Sequence, residues 1–168
     1  MPKPKAMKAS HSSRAKSGSK TGQEDAPSRS IRILSVSSIA DDHRTLRRIL
    51  KHSKWHVAGA TTCTEAIAHL TWHRVPIVLC ESALPDGSWK DILDQVAQYP
   101  EPPTLIVTSR LADDYLWAEV LNWGGYDVLS KPFNEGEVRR VIEGASLRRT
   151  SPICVRAAAG SFLGTERS

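Results

Sequence analysis

Between residues 31 and 148, short apolar runs alternate with amphipathic stretches five times over, and that rhythm leaves few folds open to the chain. The runs are Ile31–Val36, Trp55–Ala60, Pro76–Cys80, Thr104–Thr108 and Tyr126–Ser130. Pro76–Cys80 is apolar throughout, as in a strand covered on both faces. The intervening stretches carry helix signals. The first opens on Asp41 and Asp42, where a helix dipole favours negative charge, and places Leu46, Ile49 and Leu50 on one side. Thr62-Cys63-Thr64-Glu65 reads as a capping box ahead of Ala66, Ile67 and Leu70. Ile92, Leu93 and Val96 mark a third helix, and Tyr115–Trp123 a fourth that stops at Gly124-Gly125. Asn134-Glu135-Gly136-Glu137 reads as a second capping box, before Val138, Val141 and Ile142.

Five strands and five helices in strict alternation predict an α/β fold, a doubly wound five-stranded parallel sheet of flavodoxin-like order. The 168-residue chain is expected to hold one such domain, spanning 31–148, and a fused output domain is not expected. Residues 1–30 are rich in Lys and Ser and poor in large apolar side chains, so they are expected to form a disordered basic tail. Residues 149–168 are expected to form a second disordered tail. The first tail holds seven Lys/Arg against Glu24 and Asp25, which accounts for the whole formal charge of +5. A basic flexible segment attracts phosphate without sequence preference, but this one has no aromatic residue for stacking. Nucleic acid is therefore not the expected partner, and a solubilising extension is the simpler reading.

Cys63, Cys80 and Cys154 fit neither a disulfide framework nor a zinc pattern and read as reduced thiols. No segment has the apolar length of a signal peptide core or a membrane span, so a cytoplasmic protein without membrane contact is expected.

Chemistry in such sheets gathers at the carboxyl ends of the strands. There the third run closes on an acid and turns: Cys80-Glu81-Ser82-Ala83-Leu84-Pro85-Asp86-Gly87. This segment resembles the phosphoacceptor segment of response-regulator receiver domains, with Glu81 where that family has Asp. Thr108-Ser109 at the end of the fourth run and Lys131-Pro132-Phe133 at the end of the fifth match the family's marks in order. The resemblance covers residues 31–148 and implies a CheY-like receiver fold, a usually cis Lys131–Pro132 bond and a place in two-component phosphorelay signalling. It also implies that Glu81 is the phosphoacceptor equivalent, with Thr108 and Lys131 equivalent to the groups that contact the phosphoryl.

Three departures stand beside those matches. The family's acidic pair falls on Ser37 and Ser38, and neutral hydroxyls replace carboxylates poorly on Mg²⁺, so neither a metal site nor any other cofactor carries over. Asp41 and Asp42 lie too far along to align with that pair and read as helix-start residues. The switch aromatic falls on Val128, which has few rotamers to exchange. The extra methylene of Glu81 moves its carboxylate about 1.5 Å outward, which in-line attack tolerates badly. A Glu81–Lys131 ion pair is expected.

The reading is a degenerate, non-enzymatic pseudo-receiver: a stand-alone interaction module that binds without phosphorylation. Its expected partner is a protein, a histidine kinase or another signalling protein. A homodimer through the face between the fourth and fifth helices is the other arrangement the resemblance implies. Of the five tryptophans, Trp117 and Trp123 lie on or beside that fourth helix and would anchor such a face. Two other readings compete: an active receiver phosphorylated at Glu81, and a nucleic-acid-associated protein led by its basic tail.

Overall fold

A computed structural model describes residues 30–150. Residues 1–29 and 151–168, which include nearly all of both expected tails and Cys154, lie outside the described residues. Five strands, β1 (Ile31–Val36), β2 (Trp55–Ala60), β3 (Ile77–Glu81), β6 (Thr104–Ser109) and β7 (Asp127–Ser130), form one sheet in the order β2-β1-β3-β6-β7. All its pairings are parallel, as the alternating pattern requires. Two further strands escaped the sequence reading: β4 (Ala83–Leu84) and β5 (Gly87–Ser88) make a small antiparallel hairpin around Pro85-Asp86.

The helices are α1 (Ala40–Leu50), α2 (Cys63–Trp72), α3 (Trp89–Val96), α4 (Asp114–Asn122) and α5 (Glu135–Thr150). α5 runs two residues beyond position 148, and Arg149 in its last turn donates to the Pro102 carbonyl. Alternation along each strand divides the apolar side chains between two faces. Leu34, Val36, Val78, Cys80, Leu105 and Val107 meet Ala66 and Leu70 of α2, Ile92 and Val96 of α3 and Val120 of α4. Ile33, Ile77, Leu79, Ile106 and Leu129 meet Leu46 and Ile49 of α1 and Val138, Val141 and Ile142 of α5. Helices thus cover both faces, and the polar edge at the strand ends is left for function.

Helix starts follow the expected chemistry with one correction. Thr62 accepts from the Glu65 amide, but the Glu65 carboxylate returns to the amide and hydroxyl of Thr61, at 2.6 and 2.9 Å, rather than to Thr62. The loop folds back one residue further than a capping box needs. At α5 the Glu137 amide donates to Asn134 Oδ1 at 3.0 Å, the forward half of the expected box. α3 has a return bond of the kind expected at α2, from the Ser88 amide to the Asp91 carboxylate at 2.7 Å. α4 ends where Gly124 adopts φ +96°, with Gly124 N–H bonded to Leu121 O at 3.1 Å and Gly125 N–H to Val120 O at 2.8 Å. Those two bonds are a Schellman stop.

Candidate functional site

The site is built by extending the sheet ladder past the strand ends. Ser37 N–H donates to Ala60 O at 3.0 Å, Ser82 N–H to Thr108 O at 2.9 Å and Lys131 N–H to Ser109 O at 2.9 Å. These bonds fix the first residues of three loops, so Ser37, Glu81 and Lys131 converge on one point. Lys131 follows β7, and the Lys131–Pro132 peptide is cis, as the resemblance implies.

At that point lies a closed ion cluster. Lys131 Nζ is 2.8 Å from Glu81 Oε1 and 2.5 Å from Asp42 Oδ2. Ser37 Oγ lies 2.9 Å from Glu81 Oε2 and 2.6 Å from Asp42 Oδ2, while the Ile39 amide donates to it at 3.1 Å. The Lys131 side chain is 4% exposed and the two carboxylates 14% and 15%. Charges so withdrawn from water persist only when paired and hydrogen-bonded, and here each one is. The expected Glu81–Lys131 pair is present. Asp42 corrects the sequence reading: it sits in the first turn of α1 and also closes the cluster. The signal that could have found it is geometric, because a helix following β1 opens over the same strand edge and aims a first-turn carboxylate at it.

The other positions divide. Ser37 is buried and bonded to both acids, whereas Ser38 is exposed and outside the cluster. Thr108 is paired in register with Glu81 on the neighbouring strand and is buried, yet the Glu81 carboxylate bonds Lys131 and Ser37 instead. Val128 pairs with Val107 and lines a cavity of about 200 Å³ with Asp113, Trp117 and Ser130. Trp117 beside it is tied to β7 through an indole N–H bond to Asp127 at 3.1 Å.

Two supports were not visible in the sequence. His43, buried in α1, has Nδ1 2.9 Å from Ser35 Oγ and Nε2 2.9 Å from the Ser37 carbonyl, and so props the loop after β1 from beneath. Asp86, in the turn after Glu81, accepts from the amides of Cys63 and Thr64 at 2.7 and 2.9 Å and from the Thr64 hydroxyl at 2.8 Å. Those bonds at the start of α2 lower its pKa from 3.8 to about 2. Among the described residues the two thiols are held protonated: burial and the nearby Asp86 and Asp91 push Cys63 up to about 11, and burial raises Cys80 further.

Mg²⁺ does not fit this donor set. It requires hard oxygen ligands in near-octahedral array, and the two carboxylates present already share the Lys131 ammonium. Among the described residues no group of three or more His, Cys, Asp or Glu is placed to hold a metal ion. No helix among them is long and apolar enough to cross a membrane.

Comparison with known proteins agrees with this geometry at the level of the fold. No curated protein matches the sequence. The signal receiver domain of an HD domain-containing protein from Pseudomonas fluorescens Pf-5 is 25% identical, with a TM-score of 0.66 over 73% of this chain and 90% of its own. That of a putative Luxo repressor protein from Vibrio parahaemolyticus is 21% identical, with a TM-score of 0.67 over 71% and 92%. The structure of a CheX-CheY-BeF3-Mg²⁺ complex from Borrelia burgdorferi is 18% identical, with a TM-score of 0.64 over 69% and 89%. The family described as response regulator receiver domain matches residues 38–143, a span that runs from the loop after β1 to α5 and takes in Glu81, Thr108 and Lys131. With the strand order, the cis Lys131–Pro132 bond and the convergence of Glu81 and Lys131, that match places the chain in the response regulator receiver family.

Proposed function

We propose that this receiver is a phosphorylation-independent, non-enzymatic interaction module of two-component signalling, bound by a protein partner through the face formed by α4, β7 and α5. One observation carries the reading: the Lys131 ammonium holds Asp42 and Glu81 together where a receiver's chemistry would need an open acceptor. Attack by Glu81 on a phosphorus atom would require that carboxylate to leave both Lys131 and Ser37, at a donor set poorly suited to the divalent cation that would neutralise the incoming oxygens. The longer acid gives half of an imitation of the phosphorylated state, since it engages Lys131 and leaves Thr108. With Val at 128 the relay through a swinging aromatic is also missing.

The face is open. α4 buries only Val120 fully, while Tyr115 is 78% exposed and Trp117 and Trp123 about half exposed. Rigid aromatics of that kind are the usual anchors of protein interfaces.

The test is incubation of the full chain with Mg²⁺ and a small phosphodonor such as acetyl phosphate, followed by intact mass, with Glu81→Asp and Glu81→Gln in parallel. No added phosphoryl group on the native chain is expected. An adduct that disappears in Glu81→Gln would make the protein a working phosphoacceptor and overturn the proposal.

A further inference from the structure

The edge opposite the ion cluster carries a second surface. It is formed by the segments that enter four of the five sheet strands, namely the loops α1–β2, α2–β3 and α3–β6 and the first two residues of β1, with the last turn of α5. These segments bear Arg32, Lys51, Lys54, Arg74, Arg148 and Arg149 against one carboxylate, Glu101. They make a basic rim in which contacts link Arg32, Arg74 and Arg149. Arg32 Nη1 lies 3.1 Å from His73 Nδ1, Glu101 is bonded to Arg74, and Arg149 Nη2 lies 3.8 Å from Glu101. Glu101 thus serves two arginines and leaves the rim with an excess of positive charge.

Inside this rim stands Trp72, the last residue of α2, with 82% of its surface exposed. On one side of it is a groove of about 520 Å³ whose floor is Leu70, Val75, Tyr99 and Pro103. On the other is one of about 350 Å³ whose lining includes Glu65, Ala68, His69 and His73. Trp72 takes no part in either core cluster. An exposed tryptophan between two grooves has the form of an interface anchor.

We infer that this edge docks an acidic polypeptide segment that seats an apolar side chain beside Trp72 and sets carboxylates against Arg32 and Arg74. Charge complementarity selects the sign of the partner. The groove selects its class: a concave apolar floor is of little use to a phosphate backbone, which binds by charge, and suits a Leu or Phe side chain. The surface is separate from the α4 face and from the ion cluster, so it stands whether or not the chain is phosphorylated.

The experiment titrates the full-length protein, followed by NMR, with a Glu-rich peptide bearing one Leu-Phe pair. The same peptide with Ala in place of that pair, a Lys-rich counterpart and single-stranded oligothymidine serve as the other probes. The first peptide is expected to shift the Trp72 indole N–H and the backbone N–H signals of residues 73–75, Tyr99 and Glu101. Arg32→Glu combined with Arg74→Glu should weaken that binding at least about tenfold, and Trp72→Ala should abolish the shifts while the remaining spectrum stays native. Equal shifts from the Ala peptide would reduce the surface to bare charge, and a response to oligothymidine alone would make it a nucleic-acid site. Either result, or shifts from none of the probes, overturns the inference.

Discussion

At the level of single residues, the chemistry of this receiver turns on one ammonium shared by two acids. Lys131 donates to Asp42 and Glu81, and Ser37 has one hydroxyl proton for the two carboxylates it touches. Removing the ammonium leaves two part-buried carboxylates facing each other. Lys131→Met is therefore expected to destabilise the fold by about 2–3 kcal/mol, below the range for a fully buried pair because the acids retain some water. If charge is the cause, adding Glu81→Gln must return part of the loss, since one of the two repelling acids has gone; equilibrium denaturation of the single and double variants measures this. A double variant no more stable than Lys131→Met would assign the loss to packing instead. The same variant also tests the metal. The native chain should melt at one temperature with or without millimolar Mg²⁺, whereas Lys131→Met, with its carboxylates released, should gain stability from the ion. Half of this site was legible in the sequence. Glu81 and Lys131 fall at the ends of apolar runs that read as strands, and the resemblance to receivers implied that they meet. Asp42 was not legible, because a first-turn acid satisfies a helix dipole equally well, and only the packing angle of α1 shows that the same carboxylate reaches the cluster.

The elements show which local signals decided the structure and which competed. The apolar runs placed all five sheet strands, since burial on both faces leaves no other arrangement of such segments. The hairpin β4–β5 was hidden, because two-residue strands carry no periodicity. It is held by Asp86, which ties the turn after Glu81 to the first amides of α2. The carboxyl is stabilised in its charged form, with its folded pKa about 2 against an ordinary 3.8. That stabilisation is present above the ordinary value and is lost as pH falls through the folded one. Amide exchange at Cys63 and Thr64 should thus stay protected down to about pH 4 and fail between about pH 4 and pH 2; Asp86→Asn should remove that transition. The end of α4 offers a steric counterpart. A Cβ on Gly125 would meet the Val120 side chain at 2.5 Å and its carbonyl at 3.0 Å. Gly125→Ala is expected to lower stability by about 1–3 kcal/mol, read from chemical denaturation. A neutral substitution would show that the Schellman stop opens without cost.

For the whole molecule, the two edges of the sheet have opposite tasks, and the ion cluster ties together only one of them. Asp42 follows β1, Glu81 ends β3 and Lys131 follows β7, so a single ammonium spans four of the five strands at their carboxyl ends. The rim around Trp72 is made from the opposite strand ends and has its own ion pairs, Arg74 and Arg149 with Glu101. Between the edges lie two apolar clusters, and proteins open locally at less cost than they unfold globally. Hydrogen exchange of Lys131→Met should consequently rise in residues 37–42, 81–88, 109–113 and 131–134. It should stay at the native rate in 51–54, 73–76 and 97–103. If the two sets rise together, the cluster is a keystone of global stability, and the rim would then respond to any partner that disturbs Lys131. If only the first set rises, the edges are energetically separate, and one receiver can hold a fixed ion cluster at one edge and an independent docking surface at the other.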